Sequence, residues 1–342
     1  MNKKFFKDRR IAITGANGFT GSWLVEKLVN NEAKVTILLK RNSIVGKRSL
    51  RGFEDRINIV YGDIRDVKSV QKLVKNSEVV FHLAAVSQVI YSKLDPVATF
   101  AINAEGTLNV LESIRKTNVN PFLVYMNTDK VYGEPKYLPI DEEHQISAKS
   151  PYDASKLAAD RLVSSYYTTY GINSSIVRCS NIIGGKDANF LRIVPGVIRA
   201  IIKNKSPVIR GNGKSIRDYM HVSDAISALL LVAEKQNISK NQVFNIGTEN
   251  PTSVINITNK LLKIAKVNTI KPKILGTVSS YEINKQYLSN KKAMAQLDWS
   301  PKYSLDDSLT QTFDWYTKNM WWQEIISDVE KYYKTHYKLK SD

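Results

Sequence analysis

The stretch Ile11-Ala12-Ile13-Thr14-Gly15-Ala16-Asn17-Gly18-Phe19-Thr20-Gly21 decides the fold. Its first four residues predict a buried strand. Behind the last glycine, 22–30 predicts a helix, with Leu24, Val25, Leu28 and Val29 recurring at helical spacing. Between the two, Gly15 permits a tight turn, Gly18 lets the backbone approach a pyrophosphate, and Gly21 lets the helix pack closely. A helix N-terminus adds free N–H groups and positive potential, so Gly15, Asn17, Gly18, Phe19, Thr20 and Gly21 are expected to cradle a dinucleotide.

Outward from this unit, short β-branched runs predict strands over 34–39, 57–61, 79–83, 122–127, 175–178 and 243–246. Helical spacing predicts 67–75, 96–117 and 154–170 between them. Strands alternating with helices imply an α/β fold, a doubly wound parallel sheet of the Rossmann kind covered on both faces. After Arg178 the alternation weakens, and 181–189, 206–215 and 250–253 predict loops. The expected organisation is a dinucleotide-binding domain over 1–180, re-entered around 219–247, and a smaller substrate-binding lobe from 181–218 and 248–335.

The chain has 342 residues, a length for one or two closely packed lobes. No apolar run is long enough for a membrane span, and the first apolar run is too short for a signal sequence. One cysteine, Cys179, excludes an internal disulfide and suits a reducing compartment, so the expected address is cytoplasmic. The formal net charge of +18 is spread from Lys3 to Lys340 among acids, without a basic run interleaved with aromatics. That pattern suits a solvated surface that attracts anionic substrates rather than a nucleic-acid binder. The basic tail from Lys331 to Lys340 reads as a terminal helix. No metal-ligand cluster is legible, and His82, His221 and Cys179 read as packing residues.

Tyr152-Asp153-Ala154-Ser155-Lys156 places a phenol and an ammonium on one helical face. A nearby cation is expected to stabilise phenolate, so that Tyr152 takes a hydroxyl proton while the attached carbon gives up hydride. With this pair, the Gly-x-x-Gly-x-x-Gly spacing resembles the short-chain dehydrogenase/reductase superfamily. The resemblance implies that Asp63 and Ile64, and the small run Leu83-Ala84-Ala85, also face a nicotinamide dinucleotide. The second strand ends in Lys40-Arg41 with no acid, which favours NADP within NAD(P).

Upstream lies Thr128-Asp129-Lys130. With Gly62-Asp63-Ile64-Arg65-Asp66 and Asn181-Ile182-Ile183-Gly184-Gly185, it resembles the extended short-chain dehydrogenase/reductase (NAD-dependent epimerase/dehydratase) family, most of all its CDP-glucose 4,6-dehydratases. The resemblance implies a nucleotide-sugar 4,6-dehydratase that recycles a tightly bound cofactor. Thr128 would bind the reacting hydroxyl, Lys130 take the carbon 5 proton and Asp129 protonate the departing 6-hydroxyl. Ser87, Asn181, Arg192, Arg210 and Arg217 would hold the nucleotide-diphosphate sugar. Helices 96–117 and 154–170 would pair two copies as a homodimer. The alternatives are a 4-epimerase of the same family and a non-catalytic dinucleotide-binding protein.

Overall fold

The computed structural model describes residues 3–43, 45–277, 282–319, 321, 322, 324, 325 and 327–329. The basic stretch from Lys331 to Lys340 lies outside them. Seven strands form the central sheet: β1 Arg10–Thr14, β2 Lys34–Leu39, β3 Ile57–Tyr61, β4 Val79–His82, β5 Phe122–Thr128, β6 Ser174–Cys179 and β7 Gln242–Ile246. All neighbours are parallel, in the order β3-β2-β1-β4-β5-β6-β7. The order reverses between β1 and β4, which opens a crevice at the carboxyl ends of the strands.

The inner strands are apolar without alternation because both faces are covered. Helices α1 (Phe19–Asn30) and α5 (Val222–Glu234) lie on one face, where Leu24 and Leu28 meet Ile13, Val35, Phe81 and Leu229. Helices α2 (Val67–Val74), α3 (Gly106–Arg115) and α4 (Pro151–Tyr170) lie on the other, where Val70, Leu111 and Val163 meet Ala12 and Val80. Each such fully buried aliphatic side chain contributes about 1.5–3 kcal/mol relative to exposure.

Two helices depart from expectation. The continuous helix over 96–117 is three pieces: Pro96–Phe100, a π-helical turn Ala101–Glu105, and α3. The wider turn directs Asn103 sideways, where Oδ1 accepts from Val86 N at 2.7 Å and Nδ2 donates to Ser155 Oγ at 2.9 Å. Gly106 follows because a Cβ there would stand 2.9 Å from Ile64. Helix α4 starts at Pro151, three residues before the expected Ala154. Ser150 and Asp153 close a capping box around Pro151. Tyr152 therefore sits in the first turn.

The expected loops contain short strands. Asn181–Ile183 runs parallel to Tyr219–His221, Val208–Ile209 parallel to Lys273–Ile274, and Thr252–Ser253 antiparallel to Ile216–Arg217. Helices Ile193–Ile202, Val254–Ile264 and Leu305–Lys318 share a separate core with Ile198, Leu261, Leu309 and Tyr316. Among the described residues, no helix is long and apolar enough to cross a membrane.

Candidate active site

A cavity of about 690 Å³ occupies the crevice and extends toward the smaller core. That size suits a dinucleotide or sugar nucleotide. Its dinucleotide end is lined by Gly15, Asn17, Gly18, Phe19, Thr20 and Gly21. Gly15 has φ +72°, and a Cβ there would press on Ala84 N at 2.7 Å, while one on Gly21 would strike Gly15 O. Both glycines are thus demanded by packing. Gly18, which caps α1, has no side chain to bond the first-turn N–H groups. This open N-terminus fits a pyrophosphate.

Lys40, Asp63, Ile64, Leu83, Ala84 and Ala85 complete this end. Burial pushes the Asp63 carboxyl up, but hydrogen bonds from Arg65 and Lys40 outweigh it and hold Asp63 well below the usual carboxylate range. Arg41 is not among the lining residues. It is exposed, with its guanidinium 4.7 Å from the Tyr61 ring centre. His82 is a packing residue: Nδ1 meets Thr14 Oγ1 at 2.6 Å and Nε2 meets Thr107 Oγ1 at 2.9 Å, and burial lowers its pKa to about 3.

Thr128, Asp129, Lys130, Tyr152 and Lys156 all line the centre. Tyr152 is 8% exposed. Burial raises its phenol pKa well above the usual value, the Asp153 and Asp129 carboxylates add to the rise, and Arg192 and the Thr128 hydroxyl oppose it. Lys156 follows Tyr152 by one turn of α4. Its ammonium donates to Met126 O at 2.9 Å and lies 4.3 Å from the Tyr125 ring centre, and burial lowers its own pKa to about 7.

Lys156 makes a pH-dependent contribution to stability. Its folded pKa of about 7 lies below the 10.5 of a freely solvated lysine, so the unfolded chain binds more protons between those values. Stability from this group therefore rises with pH across that window. Lys156→Met is expected to be most stabilised relative to the parent near pH 7, with the advantage fading toward pH 10. Paired thermal melts across this range check it, and an advantage that grows with pH would refute the sign.

Asp129 and Lys130 sit together rather than pointing apart as adjacent residues at a strand end would. After Thr128 the chain turns into a 3₁₀ segment, Asp129–Tyr132, which brings Lys130 Nζ to 2.9 Å from Asp129 Oδ1. Asp129 is 2% exposed, and its Oδ2 has no hydrogen-bond partner among the described residues. Sequence reasoning missed Gln286, which accepts from Lys130 Nζ at 2.9 Å through Oε1.

Of the expected sugar-nucleotide ligands, Ser87, Asn181, Arg192 and Arg210 line the cavity. Arg192 is held by Asp187 at 3.0 Å, and Asn181 Nδ2 donates to Asp218 O at 3.1 Å. Arg217 is not among the lining residues. Its guanidinium donates to the Ile216, Ile283 and Asn284 carbonyls and pairs with Glu282 at 3.6 Å. Those acceptors engage Nη1 and Nη2 and tie the guanidinium to the short strands. Cys179 lines the cavity with its thiol pushed up to about 12 by burial, and His221 caps α5 by accepting from Ser223 N. Among the described residues, no group of His, Cys, Asp and Glu is arranged to hold a metal.

A parallel sheet with its cavity at the strand-order reversal, a glycine cradle and a Tyr-x-x-x-Lys pair define an extended short-chain dehydrogenase/reductase. The model of the GDP-mannose 4,6 dehydratase family matches residues 12–312, and the chain belongs to that family of NAD-dependent sugar dehydratases and epimerases. It is 34% identical to a putative UDP-glucose 4-epimerase of Methanocaldococcus jannaschii, over 90% of this chain and 99% of the relative. The UDP-glucose 4-epimerase of Thermotoga maritima, solved with UDP-glucose, superposes with a TM-score of 0.84 at 28% identity, covering 91% of this chain and 99% of that one. The dTDP-glucose 4,6-dehydratase of Bacillus anthracis, solved with NAD, superposes with a TM-score of 0.83 at 25% identity, covering 93% and 99%.

Proposed function

We propose that the protein is a nucleotide-sugar 4,6-dehydratase, converting a CDP-glucose-like or UDP-N-acetylglucosamine-like hexose into its 4-keto-6-deoxy derivative. One observation carries the reading: the Asp129–Lys130 pair shares the cavity with Tyr152 and Thr128. Epimerisation needs only removal and return of hydrogen at carbon 4. Loss of water also needs a base for the carbon 5 proton and an acid for the departing 6-hydroxyl.

In this reading the Tyr152 phenolate, which the positive charge of a bound oxidised dinucleotide would favour against burial, takes the 4-hydroxyl proton, with Thr128 bonded to the same oxygen. Asp129 and Lys130 share one proton, bonded before substrate enters as carboxylate and ammonium. In this reading the proton passes from Lys130 Nζ to Asp129 across their 2.9 Å contact once the sugar is bound. Lys130 then takes the carbon 5 proton and Asp129 gives its proton to the 6-hydroxyl as that leaves. Asn181, Arg192 and Arg210 bind the diphosphate sugar, with Ser87 beside its ring.

The residues at Gly15–Gly21, Asp63–Ile64 and Leu83–Ala85 would hold NAD or NADP, which supplies reversible hydride acceptance. Lys40 supports NADP, since its ammonium stands at the adenosine end and can turn from Asp63 to a 2′-phosphate. The dimer is part of the same reading: Leu94, Val97 and Phe100 leave apolar surface on the helical face beside α4. A cytoplasmic address accompanies it.

The likeness to the archaeal relative favours a second reading, a UDP-glucose-type 4-epimerase. Incubation with CDP-glucose, UDP-N-acetylglucosamine, dTDP-glucose and GDP-mannose, each with NAD or NADP, separates the two by mass spectrometry. A product lighter by one water is expected. An isomer of unchanged mass, with no water lost from any substrate, would overturn the dehydratase reading.

A further inference from the structure

Gln286 belongs to a short strand, Lys285–Gln286, paired parallel with Ile216–Arg217 and remote in sequence from the Asp129–Lys130 step. Its side chain is fully buried and is not among the cavity-lining residues. Nε2 donates to Asp129 O at 2.9 Å and to Gly133 O at 3.4 Å, while Oε1 accepts from Lys130 Nζ at 2.9 Å. The orientation of the amide is fixed by chemistry. Rotated end for end, it would set its NH₂ against an ammonium and its oxygen against two carbonyls.

One amide thus grips both members of the pair, Asp129 through its backbone and Lys130 through its side chain. The 3₁₀ segment carrying them begins one residue after β5 ends, and Gly133, at φ +65°, closes it. The Gly133 carbonyl is the third point held by Gln286. Tyr152 and Lys156 stand on a different element, α4, with no hydrogen bond to Gln286 among those in the structure.

We propose that Gln286 is a positioning residue for dehydration: it sets where the Lys130 amine and the Asp129 carboxyl stand over carbons 5 and 6, and takes no part in oxidation at carbon 4. This rests on the dehydratase reading. Gln286 neither touches substrate nor exchanges a proton with it. Gln286 Oε1 gives Lys130 Nζ a second acceptor beside Asp129 Oδ1, which limits where the amine can stand in the cavity. Without Gln286, Lys130 is tied only to the carboxylate beside it, and the backbone of the turn loses its two amide bonds.

The test compares the parent enzyme with Gln286→Met, which removes both functions, and Gln286→Glu, which keeps an acceptor for Lys130. Each is loaded with the dinucleotide and given whichever sugar nucleotide the parent dehydrates. Two quantities are read by mass spectrometry: the 4-keto hexose that has lost hydrogen but no water, and the 4-keto-6-deoxy product. Gln286→Met is expected to slow water loss about 10- to 100-fold, the worth of a hydrogen bond to a charged group. The rate of carbon 4 oxidation should stay within about twofold, so the 4-keto hexose accumulates. Gln286→Glu is expected to recover part of the water loss. Equal slowing of both steps in Gln286→Met, or unchanged water loss, would overturn the proposal, and circular dichroism of each variant detects simple misfolding. Failure of the parent to lose water from any sugar would instead overturn the dehydratase reading, and the role of Gln286 with it.

Discussion

Tyr152→Phe is expected to lower turnover by about 10²- to 10⁴-fold while leaving sugar-nucleotide affinity within a few-fold. The substitution removes one oxygen from a side chain already 8% exposed, so neither the packing of α4 nor the cavity wall changes. On the proposed reading, what disappears is the acceptor for the 4-hydroxyl proton, required before either dehydration or epimerisation. The Thr128 hydroxyl remains to orient the sugar oxygen but cannot take the proton away. Titration calorimetry with a sugar nucleotide and steady-state rates on the same preparation provide the comparison. Retention of a tenth or more of the parent rate would remove Tyr152 from its role, and would point to a water or to Lys156 as the base.

The second large effect concerns stability. Asp160 and Arg178 form an ion pair 0% and 2% exposed, with Arg178 donating through Nε and Nη2 at 3.0 and 2.9 Å. Asn127 Nδ2 adds a bond to Asp160 at 2.7 Å, and Arg178 Nη1 reaches Tyr132 OH at 2.8 Å. The network pins α4 to β5 and β6 and so sets which face of α4 looks into the cavity. Asp160→Ala leaves a guanidinium buried without its counter-charge and is expected to cost about 3–5 kcal/mol. Asp160→Leu combined with Arg178→Met removes both charges and is expected to be less damaging than the single change. Denaturant midpoints with unchanged slopes give the comparison. A single variant within about 1 kcal/mol of the parent would show that water or a rearranged neighbour replaces Asp160.

The parts of the site legible in the sequence are those whose chemistry is local. The glycine cradle depends on spacing within seven residues, and Tyr152 and Lys156 depend on one helical turn. The capping box at Ser150-Pro151-Tyr152-Asp153 was equally legible, and a helix start at 154 overlooked it. Side chains whose partners come from elsewhere in the chain were not readable. Arg217 offers the right charge, but Glu282 and three backbone carbonyls claim it. Lys40 has its acid in Asp63, on the neighbouring segment after β3. Asn103 in a helical pattern signals nothing until a π turn swings it onto Val86. Gln286 stands in a stretch without periodicity or motif, and only the pairing of two short strands carries it to Lys130.

The position of Tyr152 in the first turn of α4 has a kinetic corollary. Helices open from their ends, and a terminal turn samples unwound states far more often than the turns behind it. Lys156, one turn further in and bonded to Met126 O, belongs to the slower-opening part. The Ser150–Asp153 cap therefore closes the turn that carries the phenol. Two hydrogen bonds at a helix end, with the burial of Ser150, Tyr152 and Asp153, thus hold the phenol in the cavity.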